Sequence, residues 1–159
     1  MIKVAILTVS DSTIAGIRKD LSGPALEQRC AELNWQVVAK SVVSDEEQEI
    51  AHKLRDWADS RVANVVLTTG GTGVAPRDVT PEATRSILHR EVPGLAELMR
   101  SKGLEQTKFS VLSRAVAGTR NSTFILNLPG SVRGALHSFN IVEGVIPHIV
   151  DLLEGRTAH

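Results

Sequence analysis

The chain has 159 residues, of which 42% are hydrophobic, so we predict one domain over residues 1–159 with a substantial buried core. Its 18 basic and 18 acidic residues balance, and without a basic surplus we expect neither nucleic acid nor an anionic membrane surface as a partner. The lone cysteine, Cys30, excludes an intrachain disulfide framework, and because no signal peptide or membrane-spanning apolar stretch is recognisable, the expected location is the cytoplasm.

Apolar, β-branched runs alternate with helix-like patterns along the chain. Strands are predicted over residues 2–9, 35–43, 64–68 and 123–128, and helices over 24–34, 45–58, 81–88, 94–102, 132–139 and 146–153, with Gly144 or Pro147 breaking the last helical stretch. Residues 10–22 read as a polar loop, and the pattern of 110–116 does not distinguish a helix from a strand. This alternation predicts an α/β fold, a three-layer sandwich around a mostly parallel sheet, whose ligands bind beyond the carboxyl ends of the strands.

The segment over residues 68–84 carries the strongest functional signal. It follows an apolar strand, contains Gly70, Gly71 and Gly73, and leads into a helix start with Thr80 as the N-cap followed by proline. A glycine-rich loop before a helix lets backbone N–H groups approach an anion closely. The loop lacks the Lys-Ser/Thr ending of a Walker A motif and the GxGxxG spacing, so by itself it fits either a phosphate site or a tight turn.

Two carboxylates are candidates for a Mg²⁺ site. Asp78 lies on the glycine-rich loop, and Asp45 follows the second predicted strand. Each also fits a structural role, Asp78 as a turn residue and Asp45 as a helix N-cap. Because the carboxyl ends of parallel strands share one edge of the sheet, the two should converge, where they would hold Mg²⁺ against a triphosphate and help pyrophosphate to leave. The five histidines, His159 included, show no zinc-ligand spacing.

Other polar loops follow the first and last predicted strands. The segments Ser10-Asp11-Ser12 and Pro129-Gly130-Ser131 should reach the same edge of the sheet as the glycine-rich loop. Ser113 and Arg114 are weaker signals, because Arg114 fits either a clamp on a substrate phosphate or an ordinary surface arginine. Asn121-Ser122 is a weak signal of the same kind.

Taken together, these segments resemble a known family. The similar segments are Thr69-Gly70-Gly71-Thr72-Gly73, Pro76-Arg77-Asp78-Val79-Thr80-Pro81-Glu82-Ala83-Thr84, Thr8-Val9-Ser10-Asp11-Ser12, Asp20-Leu21-Ser22-Gly23-Pro24, Val43-Ser44-Asp45-Glu46, Leu112-Ser113-Arg114-Ala115-Val116-Ala117-Gly118, Asn127-Leu128-Pro129-Gly130-Ser131, and Pro147-His148 with Asp151-Leu152-Leu153. The chain is similar in these segments to the molybdenum cofactor biosynthesis proteins of the MogA/MoaB type, to which the gephyrin G domain and its plant counterpart are related. The resemblance spans nearly the whole chain.

The resemblance implies the molybdopterin-binding fold and an adenylyl transfer, in which molybdopterin and ATP give adenylyl-molybdopterin and pyrophosphate with Mg²⁺. The activated product then receives molybdate in a later step, which implies a handover to a molybdate-insertion enzyme. Members of the family are homotrimers, or homohexamers in the MoaB-like branch. The two functional aspartates carry over to Asp45 and Asp78 as catalytic and metal-binding residues. The substrate-binding residues expected here are Ser10, Asp11, Ser12, Thr69, Gly70, Gly71, Thr72, Gly73, Thr80, Ser113, Arg114, Pro129, Gly130 and Ser131.

The nucleophile in that reaction is the terminal phosphate of molybdopterin, which is already anionic at neutral pH. No side-chain base is then needed, which fits a sequence without a Ser–His–Asp or Cys–His pattern. The chain is short and lies nearer the MoaB-like branch, so the alternative hypothesis is a non-catalytic molybdopterin-binding or scaffold paralogue. A nucleotide-binding domain with another acceptor is the third hypothesis. The sequence does not assign the nucleotide and the pterin to particular loops.

Overall fold

A computed structural model describes residues 1–157; Ala158 and His159 lie outside the described residues. Six strands form one sheet: β1 (Lys3–Val9), β2 (Gln36–Val43), β3 (Val65–Thr69), β4 (Arg90–Glu91), β5 (Ala117–Arg120) and β6 (Thr123–Leu128). Their order across the sheet is β2-β1-β3-β6-β5-β4. The first four strands in that order run parallel, whereas β5 runs antiparallel to both β6 and β4. The α/β fold with a mostly parallel sheet is therefore confirmed.

Helices connect the parallel strands and cover both faces of the sheet. They are α1 (Asp11–Ile14), α2 (Ser22–Glu32), α3 (Glu47–Asp59), α4 (Thr80–Ile87), α5 (Pro93–Gly103), α6 (Val132–Val142) and α7 (Ile146–Leu153), with 3₁₀ turns at Lys108–Leu112 and Glu143–Val145. The second 3₁₀ turn contains Gly144 and separates α6 from α7, as predicted. No helix within residues 1–157 is long and apolar enough to cross a membrane.

The hydrophobic core consists of two clusters separated by the sheet. Successive residues of β1 point to opposite faces, so that Val4 and Ile6 join the first cluster while Ala5 and Leu7 join the second. Apolar residues of α2, α5, α6 and α7 complete the first cluster, and those of α3 and α4 complete the second. The strands β1, β3 and β6 are buried on both faces and read as nearly continuous apolar runs, which is why the sequence predicts them well.

Two local predictions were wrong, and two short strands were not predicted. The segment predicted as a loop over 10–22 contains α1, whose first turn is capped by the Ser10 side chain accepting the Thr13 N–H at 3.2 Å. Thr80 is the first residue of α4 rather than its N-cap, which is Val79. The edge strands β4 and β5 have only two and four residues, too short for a periodic pattern to form in the sequence.

Candidate active site

A cleft of about 680 Å³ opens at the carboxyl edge of the parallel strands, where the loops after β1, β2, β3 and β6 meet. The structure thus brings together most of the residues expected to form the site. Those lining this cleft are Ser10, Asp11, Ser12, Asp45, Thr69, Gly70, Gly71, Asp78, Gly130 and Ser131. Arg18, Lys19 and Asp20, which the sequence analysis did not single out as site residues, line it as well.

A second cavity of about 470 Å³ lies beside the first and has a more apolar wall that includes Met99 and Phe109. Four further expected site residues line this cavity: Thr72, Gly73, Ser113 and Pro129. Asp78 and Ser131 line both cavities. The expected site is therefore divided into two neighbouring compartments that share these two side chains.

The glycine loop after β3 requires glycine at two consecutive positions. Gly70 and Gly71 have φ angles of +104° and +71°, which lie in the left-handed region. A Cβ on Gly70 would lie 2.3 Å from the carbonyl oxygen of Val9. A Cβ on Gly71 would lie 2.3 Å from the Thr80 hydroxyl oxygen and 3.2 Å from Asp45 Oδ1. These positions bring the loop backbone close to the end of β1 and leave room for the Asp45 carboxylate.

Asp45 is held by a reciprocal pair of hydrogen bonds with Asp11. The Asp11 N–H donates to Asp45 Oδ2 at 2.8 Å, and the Asp45 N–H donates to Asp11 Oδ1 at 2.9 Å. The N-cap of α3 is Glu46, so the helix-capping interpretation of Asp45 was wrong. The carboxylate instead faces the cleft from the end of β2.

The pKa values of Asp45 and Asp11 are shifted in opposite directions. Burial raises the pKa of Asp45; the Asp11 N–H opposes the shift, and the negative charges of Asp11 and Asp78 add to it. Hydrogen bonds from Arg77 and from the Asp45 N–H lower the pKa of Asp11. Burial and the two acidic neighbours thus disfavour the ionised form of Asp45, Arg77 favours it, and a bound cation would favour it further.

Asp78 combines the turn contact considered from the sequence with a place in the cleft. Its Oδ2 accepts the Ala75 N–H at 2.9 Å, and its own N–H donates to the Ala75 carbonyl at 2.9 Å. A Cβ on Gly73 would lie 2.8 Å from the same Oδ2, so glycine at that position leaves space for the carboxylate.

Two expected binding residues, Thr80 and Arg114, line neither cavity. The Thr80 side chain is fully buried, and its hydroxyl donates to the Gly70 carbonyl at 2.9 Å. The Arg114 guanidinium donates to the Gly73 carbonyl at 2.8 Å and to the Asp78 carbonyl at 2.7 Å, and it pairs with Glu82. Both side chains thus donate to carbonyls of the glycine loop without lining a cavity. This differs from the binding role expected of Thr80, and Arg114 is neither a clamp in the cleft nor an ordinary surface arginine.

The ion pair behind the loop also perturbs Glu82. Burial raises the pKa of Glu82, but hydrogen bonds from Arg114 and from its own backbone N–H together outweigh this effect and leave the pKa below its usual value. Within residues 1–157, Glu82 Oε2 is the buried side-chain oxygen without a hydrogen-bond partner. Asn121 and Ser122 lie in the β5–β6 hairpin, at the opposite edge of the sheet from the cleft, so the weak signal there was misleading.

Comparison with known proteins shows the family of this chain. The sequence profile described as "Probable molybdopterin binding domain" matches residues 5–148. The chain belongs to this family. Among members of the molybdopterin-binding family, a molybdopterin adenylyltransferase of Helicobacter pylori J99 is 38% identical over 157 residues, covering 98% of this chain and 89% of the relative. That of Escherichia coli K12 is 34% identical, covering 97% and 86%.

Two other family members are similar in different ways. The Drosophila melanogaster molybdenum cofactor synthesis protein cinnamon is 43% identical over 154 residues, and the chain spans only 26% of its length. The crystal structure of the molybdopterin biosynthesis enzyme MoaB from Thermus thermophilus superposes with a TM-score of 0.92 at 51% identity, covering 98% of both chains.

Proposed function

We propose that this chain is a molybdopterin adenylyltransferase, which transfers AMP from ATP to the terminal phosphate of molybdopterin and releases pyrophosphate. The observation that carries the proposal is the convergence of Asp45 and Asp78 on one cleft with the glycine loop between them. Adenylyltransferase relatives that align with nearly the whole chain support the same reaction.

Two compartments suit a reaction with two large substrates. The transferred group must pass from one substrate to the other, and the cavities meet at Asp78 and Ser131. We place the reacting phosphates at this junction, because both substrates would reach it from their own compartment.

Asp45 and Asp78 fit a Mg²⁺ ion that is shared with substrate phosphates. No group of three or more His, Cys, Asp or Glu side chains within residues 1–157 could hold a metal by itself. Mg²⁺ is commonly bound by one or two carboxylates, with substrate phosphates and waters as the other ligands. The accumulated negative charge around Asp45 matches this donor set. Bound there, Mg²⁺ would neutralise the phosphates and the departing pyrophosphate.

The chain's own residues act by positioning. A phosphate oxygen of molybdopterin forms a bond to the α-phosphorus of ATP, while the bond from that phosphorus to the bridging oxygen breaks and its electrons leave with pyrophosphate. The attacking phosphate is anionic at neutral pH, so no side chain has to remove a proton. Backbone N–H groups of the glycine loop, together with Arg18 and Lys19 on the cleft wall, balance the charge of the phosphates.

We extend the proposal to assembly and location, as the family resemblance implies. The chain would form a homotrimer or homohexamer in the cytoplasm and pass its product to a molybdate-insertion enzyme. The 3₁₀ turn at Lys108–Leu112 exposes Phe109, Val111 and Leu112. Phe109 and Leu112 also line the second cavity, so a contact between subunits at this apolar surface would lie beside that compartment.

The deciding experiment measures pyrophosphate release by the purified protein from ATP and Mg²⁺, with and without molybdopterin. Release that requires molybdopterin supports the adenylyltransferase. Molybdopterin binding without release would instead support a non-catalytic binding or scaffold protein. Release with other phosphorylated acceptors but not with molybdopterin would move the chain to the generic nucleotide-binding hypothesis.

A further inference from the structure

Arg77 joins three of the loops that surround the cleft, although it does not line the cleft itself. Its Nε lies 2.7 Å from Asp11 Oδ2, and its Nη2 lies 3.0 Å from Asp11 Oδ1, so the guanidinium grips the Asp11 carboxylate with two parallel bonds. The same Nη2 lies 2.9 Å from Glu46 Oε1. The loop after β3 is thereby tied to the segments that follow β1 and β2.

Hydrogen bonds connect the Asp11 carboxylate in turn to Asp45. Asp11 Oδ1, which accepts from Arg77, also accepts the Asp45 N–H, while the Asp11 N–H donates to Asp45 Oδ2. A continuous chain of hydrogen bonds therefore runs from Arg77 through Asp11 to Asp45. Arg77 also precedes Asp78 directly in the sequence. Arg77 is therefore joined to Asp78 by a peptide bond and to Asp45 by hydrogen bonds through Asp11.

We propose that Arg77 is a positioning residue, which fixes the Asp45 carboxylate relative to Asp78 by holding Asp11 in its reciprocal contact with Asp45. This inference rests on the proposed function only for its catalytic consequence, because the contact between the loops is a property of the free protein. Each carboxylate would act on phosphates only in a defined geometry, and small displacements of such groups are costly to catalysis.

A matched surface ion pair separates this role from ordinary charge pairing. Arg85 contacts Glu91 through Nε at 2.9 Å, and the two side chains are 56% and 43% exposed. The corresponding values for Arg77 and Asp11 are 55% and 43%. Arg85 makes one such bond, lies on α4 and lines neither cavity. Exposed pairs of this kind contribute little to stability, so loss of Arg85 isolates the general effect of removing an arginine.

The test compares Arg77→Ala, Arg77→Lys and Arg85→Ala by amide hydrogen exchange of the free protein and by kinetics. Arg77→Ala is expected to speed exchange of the Asp11 and Asp45 amides by about tenfold or more, because their mutual bonds lose their support. It should lower kcat by roughly 10- to 100-fold with a smaller change in the KM for ATP. Arg77→Lys keeps the charge but not the fork, so less than half of the lost protection should return.

Unchanged exchange at Asp11 and Asp45 in Arg77→Ala would overturn the proposal, and so would equal acceleration in Arg85→Ala. Full recovery by lysine would overturn the bidentate grip as its basis. Faster exchange with wild-type kcat would overturn the catalytic consequence. If the wild-type protein releases no pyrophosphate, the proposed function fails, whereas the exchange rates still decide whether Arg77 holds the two aspartates.

Discussion

The Thr80 hydroxyl donates to the carbonyl oxygen of Gly70 at 2.9 Å and closes the glycine loop onto the first turn of α4. This bond is the outer end of a buried polar chain. The Thr80 carbonyl accepts the Thr84 hydroxyl at 2.8 Å, and the Thr84 hydroxyl oxygen accepts from Asn127 Nδ2 at 3.0 Å. Since Asn127 belongs to the central strand β6, the loop position is connected to the middle of the sheet.

Replacement of Thr80 by valine tests the outer end of this chain. Valine keeps the side-chain volume but leaves the buried Gly70 carbonyl without its donor, so the free energy of unfolding should fall by about 1–3 kcal/mol. Urea denaturation measures the change. Thr119→Val is the control, because Thr119 is also buried but its hydroxyl makes no hydrogen bond within residues 1–157. Equal stabilities of the two variants would contradict the importance of the Thr80 bond.

Asn127 is the inner end of this series of buried hydrogen bonds. Its Oδ1 accepts the Val116 N–H at 3.0 Å, and its Nδ2 donates to the hydroxyl oxygens of Thr68 and Thr84, all in the buried interior. Asn127→Leu would leave the Val116 N–H and the Thr68 hydroxyl without this partner, whereas the Thr84 hydroxyl keeps its bond to the Thr80 carbonyl. We expect a loss of about 2–4 kcal/mol in urea denaturation. Asn140→Leu on the exposed side of α6 should change stability by less than about 0.5 kcal/mol. A loss at Asn127 as small as at Asn140 would argue against the network.

Cys30 should be chemically inert in the folded protein. Burial, assisted by the negative charges of Glu143 and Glu27, raises the pKa of its thiol to about 12. The reactive thiolate is therefore almost absent at pH 8, and the side chain is fully buried in the first core cluster. Labelling by a thiol-specific disulfide reagent at pH 8 should be complete in denaturant and slower by orders of magnitude in the native protein. Rapid native labelling would show that Cys30 is accessible.

The sequence predicts elements best where local pattern alone determines them. β6 and α7 have the bounds expected from their apolar runs, since a buried strand ends at Pro129 and Pro147 suits the first turn of a helix. The meeting of the strand-end loops at one cleft also follows from sheet geometry, because parallel strands end at a common edge.

Contacts between distant residues are what the sequence does not provide. Asp11 and Asp45 are 34 positions apart, and the donor in each of their two hydrogen bonds is a backbone N–H, which every residue except proline has. Arg114 has the residue type of a phosphate ligand, but in the folded protein its guanidinium donates to the carbonyls of Gly73 and Asp78 instead. Thr80 fits the pattern of an N-cap, yet tertiary packing turns its hydroxyl toward Gly70. In each case the partner is supplied by the folded chain.

Asp78→Asn tests the proposed catalytic role directly. Asparagine retains the shape of the side chain, and its Oδ1 can still accept the Ala75 N–H, so the fold should persist while the negative charge is lost. We expect pyrophosphate release to fall by about 100-fold or more, since charge stabilisation of this kind contributes several kcal/mol. Asp56→Asn, on the exposed surface of α3, serves as the control and should retain activity. Near-wild-type turnover in Asp78→Asn would remove Asp78 from the mechanism.

Neutralising Asp45 and neutralising Asp11 should change the Tm of the protein in opposite directions. The pKa of Asp45 is raised by burial and by its acidic neighbours, so the folded state binds a proton there more tightly than the unfolded state. Its contribution to the free energy of unfolding therefore falls as pH rises from its ordinary pKa through the raised one. Asp45→Asn should raise the Tm at neutral pH, and the gain should shrink in acid, where the wild-type carboxyl is protonated too.

Asp11 supplies the matched variant of opposite sign. The Arg77 hydrogen bond lowers its pKa, so the ionised form stabilises the fold above the ordinary pKa and loses this effect as pH falls through the lowered value. Asp11→Asn should thus lower the Tm at neutral pH and lose that deficit in acid. Thermal unfolding of both variants between neutral and acidic pH, without Mg²⁺, measures the difference. A lower Tm for Asp45→Asn than for Asp11→Asn at neutral pH would contradict this prediction. The ionised Asp45 carboxylate would then not destabilise the fold, and a cation would have no such destabilisation to offset.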